Sequence, residues 1–369
     1  MQEILYYCKK RQNKTCILIA GEQSSDNHGA ALIKALKELD PDFIFAGVGG
    51  PQMRPHLNHS FAKAEELHIM GFSKVIKELP RLIRLMNNLC KEILEKDPAV
   101  IITIDLPDFN IFLAKKLRRK KFKGLLVHYI SPSVWAWRSG RIKTMAKTFD
   151  LLLTIFPFEP PFFAGSGLKT IYVGNPSLES CQELCAIKKE PLIAIFPGSR
   201  PSVIMDNLPL QLEAARQTGL KIAISAASPD IIPYLPKDIE IVLDNKELMQ
   251  RASVAIATSG TITLELALAG IPTVATYKIG YLNYFIAYHL FRIRHNFYVM
   301  PNILLKRMLI PEIIGCHLES SKITAALQNV SSQKALVGAK EIKKILATHG
   351  RKPSLNAAKE ILDALSLTH

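Results

Sequence analysis

Short apolar runs rich in valine and isoleucine recur along this chain, separated by stretches whose apolar residues fall at three-to-four spacing. CILIA, IFAGVGG, VIITID and GLLVHYI lie in the first half; LIAIF, KIAISAA, IEIVLD, VAIAT and PTVATY lie in the second. Runs that are apolar at nearly every position suit strands buried on both faces, and their alternation with helical patterns predicts parallel sheets with helical crossovers. Two successive sets predict two such domains. Gly174 and Pro176, beside Val173 and Asn175, break the pattern just before a polar helical stretch and place the hinge there. From about Glu312 onward the chain reads as helices only, with AKEIKKIL and NAAKEILDAL carrying the apolar stripe. The expected fold is α/β: two Rossmann-like parallel-sheet domains, 1–174 and 175–345, facing across a cleft, and a last segment, 346–369, returning to the first domain.

With 369 residues, 48% of them hydrophobic, the chain can bury a large core, and two domains are the better expectation than one. No run of about 18 uncharged apolar residues occurs, so membrane contact would have to be peripheral. The opening residues lack the order of a secretory signal, because their charges follow the short apolar stretch. The six cysteines are scattered without a complete zinc pattern and read as reduced thiols of a cytosolic protein. A formal charge of +15 favours an anionic partner. Nucleic acid is the weakest candidate, since the basic residues come without a recognition motif; phospholipid headgroups and a phosphorylated substrate remain. The densest basic run, Lys115 to Lys123, suits either cations at a solvated helix end or attraction to anionic lipid.

Candidate chemistry gathers where strands end. CILIA runs into GEQSSD, where Ser24, Ser25 or Asp26 can cap the next helix and the turn can present N–H groups to a ligand. In IDLPDFN the strand ends at Asp105, well placed to take a proton from a substrate hydroxyl; Asp108 reads as a cap of the helical NIFLAKKL. LIAIF leads to Ser199 and Arg200, and an arginine there can neutralise charge on a departing diphosphate. Ser259, Gly260 and Thr261 open a helix after VAIAT, with Glu265 one turn inside, placed to accept from ribose hydroxyls, and Gly270 closing it. YISPSVWAWRSGR holds Trp135 and Trp137, which suit either core packing or a cleft wall near Arg138. Leu67 to Leu89 and Tyr281 to Met300 mix aliphatic, aromatic and basic residues, as core helices or as helices lying in a membrane interface. Asp40 and Asp42 bracket Pro41 in a turn; with no paired carboxylates for a divalent cation, a leaving diphosphate would rely on Arg200, Lys278 and helix dipoles.

Taken together, AGEQSSD, GVGGPQM, EELHIMGF, IDLPDFN, HYISPSVWAWR, FPFE, FPGSR, TSGTITLE, MPNILL and the pair Pro311 and Glu312 resemble the lipid-A-disaccharide synthases over nearly the whole chain. The resemblance implies a metal-independent, inverting glycosyltransferase of the twin-Rossmann type. Its donor would be UDP-2,3-diacylglucosamine, a substrate and not a cofactor, and its acceptor 2,3-diacylglucosamine 1-phosphate. The product would be a β-1,6 disaccharide. It further implies Asp105 as base and Arg200 beside the diphosphate. Ser199, Ser259, Gly260, Thr261, Glu265, Lys278 and Asn302 would hold UDP, and Glu22, Ser24, Asp26, Asp108, Trp135 and Arg138 the sugar substrates. The implied location is the cytoplasmic face of the inner membrane, bound peripherally to its anionic surface; a homodimer is possible. The chain departs from the family pattern at Ser25, where a glycine is expected, at Val203, where an acidic residue is usual, and at Asn175, where a histidine is. A positive φ at position 25 would make the first of these costly. The rivals are a UDP-N-acetylglucosamine 2-epimerase and a non-catalytic paralogue that binds acylated sugar nucleotides.

Overall fold

A computed structural model describes residues 14–67, 72–136, 138–181, 189–280, 296–348 and 350–367. By internal contacts the chain divides into two units, Met1–Pro176 with Thr348–His369, and Ser177–Ala347.

In the first unit the elements run β1 (Thr15–Ala20), α1 (Gln23–Leu39), β2 (Ile44–Gly49), β3 (His59–Lys63), α2 (Phe72–Lys96), β4 (Val100–Ile104), α3 (Pro107–Arg119), β5 (Leu125–Tyr129), α4 (Arg141–Ala146), β6 (Leu151–Thr154) and β7 (Lys169–Tyr172). Their sheet is parallel throughout, in the order β3-β2-β1-β4-β5-β6-β7. Alternate residues of each central strand enter different cores, which is why the strands are apolar at successive positions. Cys16, Leu18 and Ala20 join Ile102, Leu32 and Leu36 on one face; Ile17 and Ile19 join Ile101, Leu113 and Ile93 on the other. The first face is completed by Ala357, Ala358 and Ile361 of a C-terminal helix, Pro353–Leu367. That helix packs on α1, and its Asn356 Nδ2 donates to the Val173 carbonyl at 3.2 Å.

The second unit contains α5 (Ser177–Cys181), β8 (Leu192–Phe196), α6 (Pro201–Arg216), β9 (Lys221–Ser225), β10 (Glu240–Val242), α7 (Asn245–Arg251), β11 (Val254–Thr258), α8 (Thr261–Leu268), β12 (Thr273–Lys278), α9 (Met300–Leu305), β13 (Glu312–Gly315), α10 (Ser320–Asn329) and α11 (Ser332–Ile345). Its sheet is parallel in the order β10-β9-β8-β11-β12-β13. Ile193, Ile195, Ile204 and Val274 share one core, Leu192, Ala194, Phe196 and Leu266 the other.

Every strand named from the apolar runs is present, and the doubly wound α/β architecture holds in both units. Three expectations are corrected. The chain from Glu312 onward is not helical throughout, because Glu312–Gly315 forms β13, paired with β12. Helix α3 starts at Pro107, not Asn110, so Asp108 lies in its first turn and does not cap it; the N-cap is Leu106. Helix α1 starts at Gln23 with Glu22 as its N-cap, ahead of all three residues expected there. Asp40 and Asp42 do lie in a turn, where Lys14 Nζ binds both, at 3.0 and 2.8 Å. Arg118, within the basic run, turns inward to the carbonyls of Thr148 and Phe122, at 3.1 and 3.0 Å, and pairs with Asp150. Among the described residues no helix is long and apolar enough to cross a membrane. Trp137, residues 68–71 and most of the Tyr281 to Met300 stretch lie outside the described residues.

Candidate active site

In each sheet the order reverses between two adjacent strands, β1 and β4 in the first, β8 and β11 in the second. Chains leaving the carboxyl ends of such a pair diverge to opposite sides and open a crevice, the usual ligand position in doubly wound folds. The candidate residues leave from these ends: Glu22, Ser24 and Asp26 after β1, Asp105 after β4, Ser199 and Arg200 after β8, and Ser259, Gly260 and Thr261 after β11.

At the β1 end, Gly21 packs against the Leu106 side chain, since a Cβ would stand 2.6 Å from Leu106 Cδ2 and displace it. Ser25 Oγ accepts from the Glu22 N–H at 2.9 Å and donates to the Glu22 carbonyl at 2.7 Å, closing the start of α1. Ser25 is thus helical and buried, and the departure from glycine there demands no positive φ. Asp26 is buried too, and its carboxylate serves the fold. Oδ1 accepts from the N–H groups of Gly50 and Met53, at 2.7 and 3.0 Å, and Oδ2 from that of Gln52 at 2.8 Å. It pins the loop after β2.

At the β4 end, Asp105 is half-buried and has φ +50°, and Leu106 follows with φ +44°. The Asp105 N–H donates to Tyr129 O at 2.9 Å, which carries the β4–β5 ladder one step past the strand. The next loop is strained as well: Ile130 has φ +74° and Arg138 φ +56°. A β-branched residue in this region is a true outlier, and such residues persist where the surrounding structure over-determines them, commonly at functional sites. Asp108, exposed on α3, takes Arg138 at 3.2 Å and also Arg141, so the loop carrying Trp135 is tied to the turn carrying Asp105. Trp135 meets Phe158 edge to face at 5.4 Å, and Phe158 stacks on Phe156 at 5.6 Å. Glu159 of the same FPFE stretch is buried; burial pushes its carboxyl up to about 8, although the N–H groups of Ile155 and Phe156 donate to it at 3.2 and 3.0 Å. Asn175 Nδ2 donates to Ile155 O at 3.3 Å beside it.

In the second unit Gly198, with φ +104°, makes the turn that delivers Ser199 and Arg200, both exposed, to the start of α6, where Arg200 is the N-cap. Gly260 and Thr261, likewise exposed, open α8. N–H groups in the first turn of a helix lack a full set of partners within it and suit an anion. A buried polar network spaces these loops. Gln211 Nε2 donates to Thr258 Oγ1 and Thr276 Oγ1, at 3.1 and 2.8 Å, and Thr258 Oγ1 donates to Pro197 O at 2.9 Å, so α6 joins the ends of β8, β11 and β12. Asn207 Oδ1, one turn earlier, accepts from the Lys278 N–H at 2.8 Å, and its amide bonds the Val203 carbonyl at 2.9 Å. The sequence carries a signal for this network that the candidate residues do not include: Asn207 and Gln211 are polar residues within the buried stripe of Ile204 and Leu208.

Glu265 is half-buried inside α8, and burial pushes its carboxyl up to about 7 against the pull of Lys246. The folded chain therefore retains this proton above the ordinary carboxyl range, and stability from this site falls as pH rises toward 7. Asn302, expected to contact the nucleotide, has its side chain turned into the fold. It is fully buried; Nδ2 donates to Ile310 O and Glu312 Oε1, both at 2.7 Å, and Oδ1 accepts from the N–H groups of Leu309 and Ile310, at 2.7 and 2.9 Å. All its hydrogen-bonding capacity is used within the protein. Glu312, which also accepts from the N–H groups of Tyr298 and Val299, joins it in fixing the start of α9.

The family model for lipid-A-disaccharide synthetase matches residues 16–364. The chain belongs to the lipid-A-disaccharide synthetase family. A lipid-A-disaccharide synthase of Chlamydia trachomatis serovar D is 37% identical over 334 residues, covering 83% of this chain and 54% of that protein. One of Geobacter sulfurreducens is 33% identical over 362 residues, covering 90% and 93%. The chain thus spans about half the length of the Chlamydia trachomatis relative and nearly all of the Geobacter one. Among solved structures, Arabidopsis thaliana UGT89C1 complexed with UDP superposes with a TM-score of 0.59 at 10% identity, covering 96% of this chain and all of that one, a likeness of fold alone. Membership of this family sets the epimerase reading aside.

Proposed function

We propose that this chain transfers a 2,3-diacylglucosaminyl group from its UDP derivative to the 6-hydroxyl of 2,3-diacylglucosamine 1-phosphate. The observation that carries this is the position of Asp105 and Arg200 at carboxyl strand ends beside the two reversal points of a member of this family. Asp105 takes the proton of the acceptor hydroxyl as its oxygen bonds to the anomeric carbon. The bond from that carbon to UDP breaks on the opposite face, so the configuration inverts. Arg200, Lys278 and the first turn of α8 neutralise the departing diphosphate, which needs no metal in this reading. Trp135 and the arginine pair on Asp108 shape the acceptor side.

Acylated substrates imply work at a membrane surface on the cytoplasmic side. Leu79 and Ile83 on α2 and Phe112 on α3 are exposed, with Arg81 and Arg84 nearby in sequence and a formal charge of +15 overall, a composition suited to peripheral attachment to anionic lipid.

The direct test supplies purified protein with both diacylated substrates in detergent and EDTA. UDP and lipid disaccharide are expected in equal amounts; donor binding without turnover would leave a non-catalytic binder. Glu265 gives a second prediction. If its carboxylate accepts from ribose hydroxyls, UDP affinity measured by calorimetry should fall as pH drops from 8 to 6, by about tenfold for a group titrating near 7. UDP itself titrates in this range, so the reading is the difference from Glu265→Gln, which should show the smaller change. Parallel curves for the two proteins would remove Glu265 from the ribose.

A further inference from the structure

We infer that Asn110 is the positioning residue for the base, holding the Asp105–Leu106 turn in its left-handed form; the inference rests on the proposed role of Asp105. Two successive L residues with φ +50° and +44° form an unfavourable turn, and leucine has no local hydrogen bond with which to offset it. Asn110 Nδ2 donates to the Asp105 carbonyl at 2.7 Å and lies 3.4 Å from that of Ile104. The Asn110 N–H also donates to Leu106 O at 3.0 Å. One residue thereby bonds three consecutive carbonyls across the turn.

Asn110 is fully buried, and its Oδ1 has no hydrogen-bond partner among the described residues. Carbonyl acceptors at Nδ2 fix which way the amide points. The side chain is therefore retained in this place for its donor, at the expense of an unsatisfied acceptor. On the far side of the turn, Leu106 fills the space that Gly21 leaves, and the Asp105 N–H is held by Tyr129 O. The side-chain bonds run to the backbone of the base residue itself and of the strand end carrying it. Loss of the donor frees that peptide to rotate, and rotation carries the carboxylate away from its hydroxyl, while the nucleotide-contacting loops of Ser177–Ala347 are left as they are.

A double-mutant cycle separates this from a general packing role. Asn110→Ala is expected to lower kcat by about 10- to 100-fold, the scale of a small misplacement of a reacting group, with UDP affinity unchanged by calorimetry. In a Leu106→Gly background the left-handed form costs little, so the same substitution should lower kcat only about threefold. Equal losses in both backgrounds, or kcat within twofold of wild type in Asn110→Ala, would overturn the inference. Asn110→Leu keeps much of the volume and removes the donor; it should resemble Asn110→Ala, and wild-type kcat in it would likewise overturn the inference. Hydrogen exchange over residues 104–110 reads the turn without any reaction. The Asp105 amide should lose protection at least about tenfold in Asn110→Ala, beyond any global change, and to a smaller extent in the double variant. If wild type makes no disaccharide, the functional reading fails alone, and unchanged exchange would then defeat the inference separately.

Discussion

Asparagine in place of Asp105 is expected to lower kcat by about 10²- to 10⁴-fold, the usual contribution of a positioned general base, with UDP affinity unchanged. The substitution is chosen for the backbone. Asp105 has φ +50°, and asparagine is as tolerant of that region as aspartate, so the turn, the Tyr129 hydrogen bond and the Asn110 contact persist. What is removed is the capacity to take a proton. Alanine would confound loss of the carboxylate with relaxation of the strained pair, and its larger loss could be credited to either. Disaccharide formation under saturating substrates is the measurement. A loss below about tenfold would take Asp105 out of proton transfer and leave it as a contact residue.

The central strands were legible because burial on both faces makes them apolar at successive positions, as in CILIA and VIITI, in short runs rich in isoleucine and valine that are bounded by turn residues. Three of the four edge strands were not: β3 (HSFAK), β7 (KTIY) and β13 (EIIG) are only partly buried and carry polar residues. The interior strand β6 (LLLT) is fully buried but only four residues long. The site divides along a similar line. Residues that leave strand ends, such as Asp105 and Arg200, could be located from strand and turn patterns alone. Residues recognised by their motifs, such as Asp26 and Asn302, could not be told apart as ligand contacts or framework, because their hydrogen bonds run to Gly50, Gln52 and Met53, or to Leu309 and Ile310, in loops whose approach depends on the folded chain. The same is true of Asn110, whose acceptors are five and six residues away along a turn of unusual φ.

Asp26→Ala should destabilise the first unit by about 3 kcal/mol, since it leaves two buried N–H donors and one partly buried one without an acceptor that was charged. Melting is then expected to shift down by roughly 6–12 °C for a unit of this size. Asp26→Asn should cost less: Oδ1 still serves Gly50 and Met53, and only the Gln52 bond at Oδ2 is lost. The two variants separate the two roles open to this residue. A substrate contact would lose turnover in both while melting stayed near wild type. A latch loses melting temperature in the order Ala, then Asn, and activity only to the extent that the loop after β2 moves. Gly50→Ala gives the converse view of the same latch, because a Cβ there would stand 2.6 Å from Asp26 Oδ2 and force the carboxylate away with its own charge intact. Matching melting losses in Gly50→Ala and Asp26→Ala would show that the position of this carboxylate, held by the loop, is what the fold requires of it.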